Sequence, residues 1–434
     1  MRGINLPATQ GTSNAGNFLP GVYPFDYSAA DLDKARQKGF DALRLPVNVS
    51  TADAPAALGS IRAYFDSFGG QGLLCFFEES SDPQAAPHGS GCADVAAASA
   101  TWMKAHAAFS DTGVLYEIFN EPFGYKMAEE YLHNMLLILH YAQLPVGRCV
   151  LDGFGYADDV QVLHRLGWQG YLAYHFYPNW LPEGQRTEQD YARKVSQDLA
   201  GIQDRTLITE FGAGLDLSDD QKAGREPSED AQCLRGLAAA VRQLPSLQGA
   251  FHWHGWDNGD SYDFWGPGNQ LGADLVLAVL DGCGTSKPRP STTAAEPLAL
   301  FRKEEMTYLL LLSDRRFPQM PDWGWTFERI ACYCWPEADA SLAETVPVQC
   351  WRKGELACYC LADSGPDPPG PGFTKECLAF RALPAACDLP NTAVVHEWRK
   401  EELTYYSRED WEGYGRLPSW GWTYHGAVFR VPAA

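Results

Sequence analysis

Nowhere in the 434 residues do eighteen apolar residues run together, so no segment reads as a transmembrane helix. Cationic side chains are scarce: 34 Lys and Arg against 55 Asp and Glu give a formal charge of −21. Nucleic acid is disfavoured as a partner, because counterion release needs Lys and Arg. An anionic membrane is disfavoured by the same sign of charge, and a neutral substrate suits it. No glycine-rich phosphate turn follows any strand candidate, which argues against a doubly wound nucleotide-binding sheet. No zinc knuckle occurs either, since Cys332-x-Cys334 and Cys358-x-Cys360 lack the two-residue gap. The twelve cysteines, five before residue 290 and seven after, read as disulfides first, buried thiols second and metal ligands last. Met1-Arg2-Gly3-Ile4-Asn5-Leu6 enters a strand at once and lacks a secretory-leader profile, as a mature chain would. Asn48-Val49-Ser50 is the only glycosylation sequon.

Aromatics are abundant, at 13% with 14 Trp. That allows a large core and leaves flat platforms for sugar rings, whose C–H faces are apolar. The organising stretch is Leu115 to Pro122, in which an apolar run ends at Asn120-Glu121-Pro122. Proline cannot continue a ladder, so a carboxylate is left at the carboxyl end of a buried strand. A second such arrest, Thr206-Leu-Ile-Thr-Glu210-Phe-Gly212, lies 89 residues on from Glu121. Two carboxylates at separate strand ends are what glycoside hydrolysis requires.

Eight strand candidates occupy Arg2–Leu6, Ala42–Val47, Leu73–Phe77, Leu115–Phe119, Cys149–Gly153, Gly170–Tyr177, Thr206–Gly212 and Gly249–Trp256. Helical patterns separate them, one opening at the cap Ser28 and others near 55–69, 93–109, 127–142, 158–166, 187–201, 228–244 and 270–281. Eight strand–helix units in about 280 residues predict an α/β (β/α)8 TIM barrel over 1–280. In such a barrel the chemistry sits where strands end. Those ends carry Arg44, Glu78-Glu79, Asn120-Glu121, Asp152, His175-x-Tyr177, Glu210 and the segment His252-Trp253-His254 with Trp256. The H-x-H pattern there is metal-like in form, but packing explains it better, and neither a metal nor a cofactor is expected.

Residues 281–297 read as a linker rich in Pro, Ser and Thr. Beyond it lies a threefold repeat over 298–434. Phe301-Arg302-Lys303 recurs as Trp351-Arg352-Lys353 and Trp398-Arg399-Lys400, and Gly324-Trp325-Thr326 recurs as Gly372-Phe373-Thr374 and Gly421-Trp422-Thr423. Such a repeat predicts an all-β, β-trefoil-like accessory domain sharing one core. Trp323, Trp325, Trp420 and Trp422 are candidates for exposed aromatics on it. The module resembles an uncharacterised repeat domain appended to secreted hydrolases, which implies either carbohydrate binding or a structural cap.

Residues 2–280 resemble glycoside hydrolase family 5, the cellulase family. The resemblance rests on Arg2-Gly-Ile-Asn5, Leu43-Arg44-Leu-Pro46, Ile118-Phe-Asn120-Glu121-Pro122, His175-Phe-Tyr177, Thr209-Glu210-Phe-Gly212 and the aromatic segment at Trp253. It implies a secreted, monomeric, retaining endo-acting β-glycanase, an endo-β-1,4-glucanase first, acting on a β-linked polysaccharide or oligosaccharide. A mannanase, a β-1,3-glucanase or a glycolipid-directed glycosidase of the same fold is the alternative, and a non-catalytic carbohydrate-binding protein is another. By the residues and that match together, Glu121 is expected as general acid/base and Glu210 as nucleophile. Asn120 is expected to bind the sugar 2-hydroxyl, and Arg44 to orient Glu210 and hold it ionised. Tyr177 and His175 would position nucleophile and acid, with Trp253 or Trp256 as the floor of the cleaving subsite. One departure stands out. The family carries a histidine near the end of strand three, whereas here Leu73-Leu-Cys-Phe-Phe77 runs into Glu78-Glu79, with His88 ten residues on.

Overall fold

A computed structural model describes residues 1–6, 29–53, 55–77, 90–255, 259–283, 295–336, 344–362, 370–387, 392–411 and 413–432. Ser28, Glu78, Glu79, His88 and Trp256 lie outside these, as does most of the expected linker. The chain divides into two compact units, Met1–Val162 with Gly170–Pro290 and Leu163–Gln169 with Ser291–Ala434.

The first unit is a closed barrel of eight parallel strands in chain order: β1 (Arg2–Asn5), β2 (Ala42–Asn48), β3 (Gln71–Phe77), β4 (Leu115–Glu117), β5 (Cys149–Asp152), β6 (Tyr171–Phe176), β7 (Thr206–Phe211) and β8 (Gly249–His252). Every predicted strand is present, and β8 pairs back onto β1. Helices Pro55–Phe68, Val95–Phe109, Ala128–Ala142, Glu188–Asp198, Glu229–Arg242 and Gln270–Leu280 follow the predicted periodicity, each burying one apolar face as an amphipathic helix must. Strands covered on both faces carry near-continuous apolar runs, which is why β2 and β6 are buried at every position.

The floor of the barrel is filled by Met1, Ala42, Leu73, Leu115, Val150, Tyr171, Ala173, Leu207 and Phe251. Burying each large side chain contributes roughly 1.5–3 kcal/mol. Gly3 is required by this packing, since a Cβ there would lie 2.1 Å from the Phe251 ring. β4 is shorter than the predicted Leu115–Phe119. Beyond Glu117 single bonds continue to the neighbouring strands, from Ile118 N–H to the Val150 carbonyl and from Asn120 N–H to the Phe76 carbonyl, before Glu121 adopts φ 46°, a left-handed conformation costly for a side-chain-bearing residue.

The second unit holds three strands per repeat: β9 (Glu296–Lys303), β10 (Met306–Leu311) and β11 (Thr326–Cys334); β12 (Val346–Lys353), β13 (Leu356–Leu361) and β14 (Thr374–Pro384); β15 (Thr392–Lys400), β16 (Leu403–Arg408) and β17 (Thr423–Pro432). In each repeat the first strand pairs antiparallel with the other two, and β14 joins β17 to merge the last two repeats into one six-stranded sheet. The repeated Lys has a repeated purpose. Lys303 pairs with Glu355 at 2.7 Å, Lys353 with Glu402 at 2.7 Å and Lys400 with Glu305 at 2.6 Å, a ring in which each repeat grips the next. The repeated glycines Gly324, Gly372 and Gly421 have φ of 78°, 83° and 85°, where any Cβ is disfavoured.

Two expectations are corrected here. Trp323 and Trp420 are exposed, but Trp325 and Trp422 are buried, because the left-handed glycine between each pair turns the second ring inward. No disulfide forms among the described residues. Cys332 and Cys334 lie two apart on one strand with sulfurs 3.7 Å apart, as do Cys358 and Cys360 at 3.9 Å.

Candidate active site

The strand ends of the barrel converge on one guanidinium. Arg44 of β2 is wholly buried and spends all its donors. Nε and Nη2 meet the two oxygens of Glu117 at 2.7 Å each, and Nη1 meets Glu210 Oε1 at 2.6 Å and Asn5 Oδ1 at 2.8 Å. Nη2 also reaches Asn120 Oδ1 at 2.7 Å. Such bidentate, charge-assisted bonds fix direction as well as charge. Glu210 is held at its other oxygen by the Tyr177 hydroxyl at 2.6 Å.

Glu121 is placed from two sides. Its backbone N–H donates to Asp152 Oδ2 at 2.8 Å, which secures the left-handed turn before Pro122. Its carboxylate meets His175 Nδ1 at 2.9 Å, while His175 Nε2 faces Thr209 Oγ1 at 3.1 Å. Oxygens of Glu121 and Glu210 and a ring nitrogen of His175 all lie within 4.8 Å of one another.

Among the described residues the site holds four buried carboxyls, Glu117, Glu121, Asp152 and Glu210, around the guanidinium of Arg44. Burial pushes Glu121 well above the ordinary carboxylate range, and the neighbouring Glu210 charge adds to it. Glu210 is raised as well, again by burial, with Arg44 and the Tyr177 hydrogen bond pulling against it. Arg44 thus works against burial to favour the charged form of Glu210, as expected of a guanidinium at 2.6 Å. Asp152 is raised by burial and by the neighbouring Glu117 charge.

The side-chain Nδ2 of Asn120 is buried without a hydrogen-bond partner among the described residues. Its oxygen is committed to Arg44, so the amide is oriented with its donor free. A buried unsatisfied donor costs about 1–3 kcal/mol. It is an expense that a ligand hydroxyl would relieve.

Above these groups opens a cleft of about 600 Å³ lined by Glu121, Glu210, Tyr156, Tyr177, Trp180 and Trp253 among others. Trp253, just beyond β8 and stacked on Phe77, forms its apolar wall together with Tyr177 and Tyr262. Arg44, Asn120, Glu121, His175, Tyr177, Glu210 and Trp253 are thus brought together as expected, and Trp256 falls outside the described residues. His252 and His254 take separate partners, the Tyr262 carbonyl at 3.1 Å and Asp260 at 3.2 Å. Neither belongs to a cluster of potential metal ligands among the described residues.

The residues that sequence reasoning passed over are Asn5, Glu117 and, as a working member of the site, Asp152. Glu117 had a signal: it is the one charge inside the apolar strand Leu115–Phe119, where an unpaired carboxylate could not stay.

No family model matches the chain, and no curated protein does. Among solved structures, it is similar to an endo-β-1,4-glucanase from Xanthomonas axonopodis pv. citri, at 14% identity over 64% of this chain and 99% of that one, with a TM-score of 0.46. An endoglucanase from Pseudomonas stutzeri matches at 13% identity over 66% of this chain and 97% of that one, TM-score 0.47. The catalytic domain of a mannanase from Streptomyces sp. SirexAA-E matches at 19% identity over 67% and 88%, TM-score 0.45. At these values, function has to be read from the chain's own residues.

Proposed function

We propose that the barrel is a retaining, endo-acting β-glycanase of the glycoside hydrolase family 5 type, with β-1,4-glucan as its first substrate. The observation that carries this reading is the pair Glu121 and Glu210, with oxygens under 4.8 Å apart. Retaining enzymes keep their carboxyls about 5–5.5 Å apart, whereas inverting ones leave about 6.5–9.5 Å for a water. The short spacing supports direct attack by one carboxylate.

In this mechanism Glu121, raised by burial and by the Glu210 charge, holds its proton and gives it to the departing glycosidic oxygen. Glu210, aimed by Arg44 and Tyr177, attacks the anomeric carbon and forms the glycosyl-enzyme. Glu121, now ionised, takes a proton from water, which cleaves the intermediate and restores the starting configuration. The free Nδ2 of Asn120 donates to the sugar 2-hydroxyl, a bond that strengthens as charge develops. His175 positions Glu121, and Trp253 supplies the apolar floor.

The test is reducing-end release by the purified protein on β-1,4-glucan, β-1,3-glucan, mannan and xylan, with Glu210→Gln as control. Activity on β-1,4-glucan that the variant loses, with the product first appearing as the β-anomer by NMR, supports the reading. Turnover of mannan or β-1,3-glucan alone would keep the mechanism and change the substrate. Full activity in the variant would remove Glu210 from the nucleophile's role.

A further inference from the structure

The second unit contains a thiol cluster that has no part in the barrel chemistry. β12 and β14 run antiparallel in a register that sets Cys350 directly opposite Cys377. Facing residues in such a pair have Cα atoms about 4.5–5.5 Å apart, within the span a disulfide bridges. The two sulfurs and a Glu376 oxygen all lie within 4.8 Å of one another.

The two thiols are not equivalent. Cys377 is partly exposed and accepts a hydrogen bond from Arg316 Nη2 at 3.6 Å. Cys350 is buried, with its sulfur 3.4 Å from Glu376 Oε2. Glu376 is itself pinned by the Tyr308 hydroxyl at 2.7 Å, Arg316 at 3.2 Å and Arg352 at 3.3 Å. The hydrogen bond from Cys350 draws Cys377 down to about 7, with Arg316 adding to the effect against burial. Cys350 moves the other way, raised by the same hydrogen bond, by burial and by the Glu376 charge. One sulfur is thus poised as a thiolate beside a protonated partner, the arrangement of an attacking and a resolving thiol. The two guanidiniums on Glu376 also oppose a divalent cation there.

We propose that Cys350 and Cys377 are a redox-active dithiol that closes reversibly into a cross-strand disulfide, with Cys377 as the attacking sulfur and a small-molecule disulfide as oxidant. The Cys377 thiolate attacks one sulfur of the oxidant, whose S–S bond breaks, and the first thiol leaves with the electron pair. Cys350 then passes its proton by way of Glu376 to solvent and attacks the Cys377 sulfur of the mixed disulfide, releasing the second thiol. Two protein thiols lose two electrons, and one disulfide becomes two thiols. The pairs Cys332/Cys334 and Cys358/Cys360 are worse placed. Residues two apart on a strand are separated by about 6.4–6.8 Å, the far limit for a disulfide.

The experiment uses the full chain in buffers of graded glutathione to glutathione-disulfide ratio, quenched with iodoacetamide and mapped by peptide mass. The expected result is a peptide pair joining Cys350 to Cys377 at a lower oxidant fraction than any other linkage. Cys350→Ser should trap glutathione on Cys377. In the unsubstituted protein, Cys377 should alkylate fastest of the twelve cysteines, with a rate that half-titrates near pH 7. Earlier linkage of Cys332 to Cys334 or of Cys358 to Cys360, or alkylation of Cys377 no faster than that of the buried cysteines, overturns the proposal.

Discussion

Arg44 and Glu117 form a two-point ion pair, 2.7 Å at each contact, in which neither side chain is exposed at all. The pair spans β2 and β4 at the level where the barrel core gives way to the cleft, and it fixes the guanidinium that also holds Glu210 and Asn120. Removing one partner of a buried pair leaves an uncompensated charge, at about 3–5 kcal/mol. Glu117→Gln should therefore lower stability by that order in urea unfolding followed by tryptophan fluorescence. It should also depress kcat more than KM, because Arg44 loses its anchor rather than its reach to substrate. An exposed pair such as Arg62–Asp66, broken by Asp66→Asn, should leave stability nearly unchanged.

Glu121→Gln should lower kcat/KM on polysaccharide by about 10²- to 10⁴-fold, the usual worth of a positioned general acid. A substrate with a dinitrophenyl leaving group needs no protonation, so glycosyl-enzyme formation from it should be nearly spared. The same variant should be more stable than the parent near neutral pH. Glu121 has a folded-state pKa raised above its unfolded value of about 4.3. Its favourable contribution is full below that unfolded value and is lost as pH rises through the folded one. Gln escapes the loss. Thermal unfolding should show the variant gaining over the parent at high pH, with the gain disappearing near about pH 4.

Activity should follow a bell in pH. The acid limb rises as Glu210 loses its proton, and the alkaline limb falls as Glu121 loses its own. Both groups are raised by burial, so both limbs should lie above the range of exposed carboxylates, about 4.3. The Tyr177 hydroxyl pulls Glu210 down. Tyr177→Phe should therefore move the acid limb of kcat/KM to higher pH while leaving the alkaline limb in place.

In the second unit, the Lys–Glu ring is solvent-exposed and the left-handed glycines are not replaceable in kind. Lys353→Met should cost less than about 1 kcal/mol. Gly421→Ala, at φ 85°, should cost about 1–2 kcal/mol more than a neutral surface change. Denaturant unfolding of both variants in the full chain checks the order, and a larger loss in Lys353→Met would reverse it.

The strand count, the strand ends and seven described site residues were legible in the sequence because each depends on local pattern. Apolar runs stop at polar residues and prolines, and a repeat at nearly fifty residues declares a repeated unit. Tertiary structure decided what local pattern cannot hold. Asn5, Glu117 and Asp152 joined the site because a closed barrel brings strands distant in sequence to one level, and Glu117 points inward there to meet Arg44. Trp323 and Trp325 look alike in sequence, and the backbone turn at Gly324 separates one to solvent and the other to the core. Cys350 faces Cys377 only through the pairing register of β12 with β14, which bulges shift on either side. Composition and periodicity set which segments become strands; the closure and register of those strands set which side chains meet.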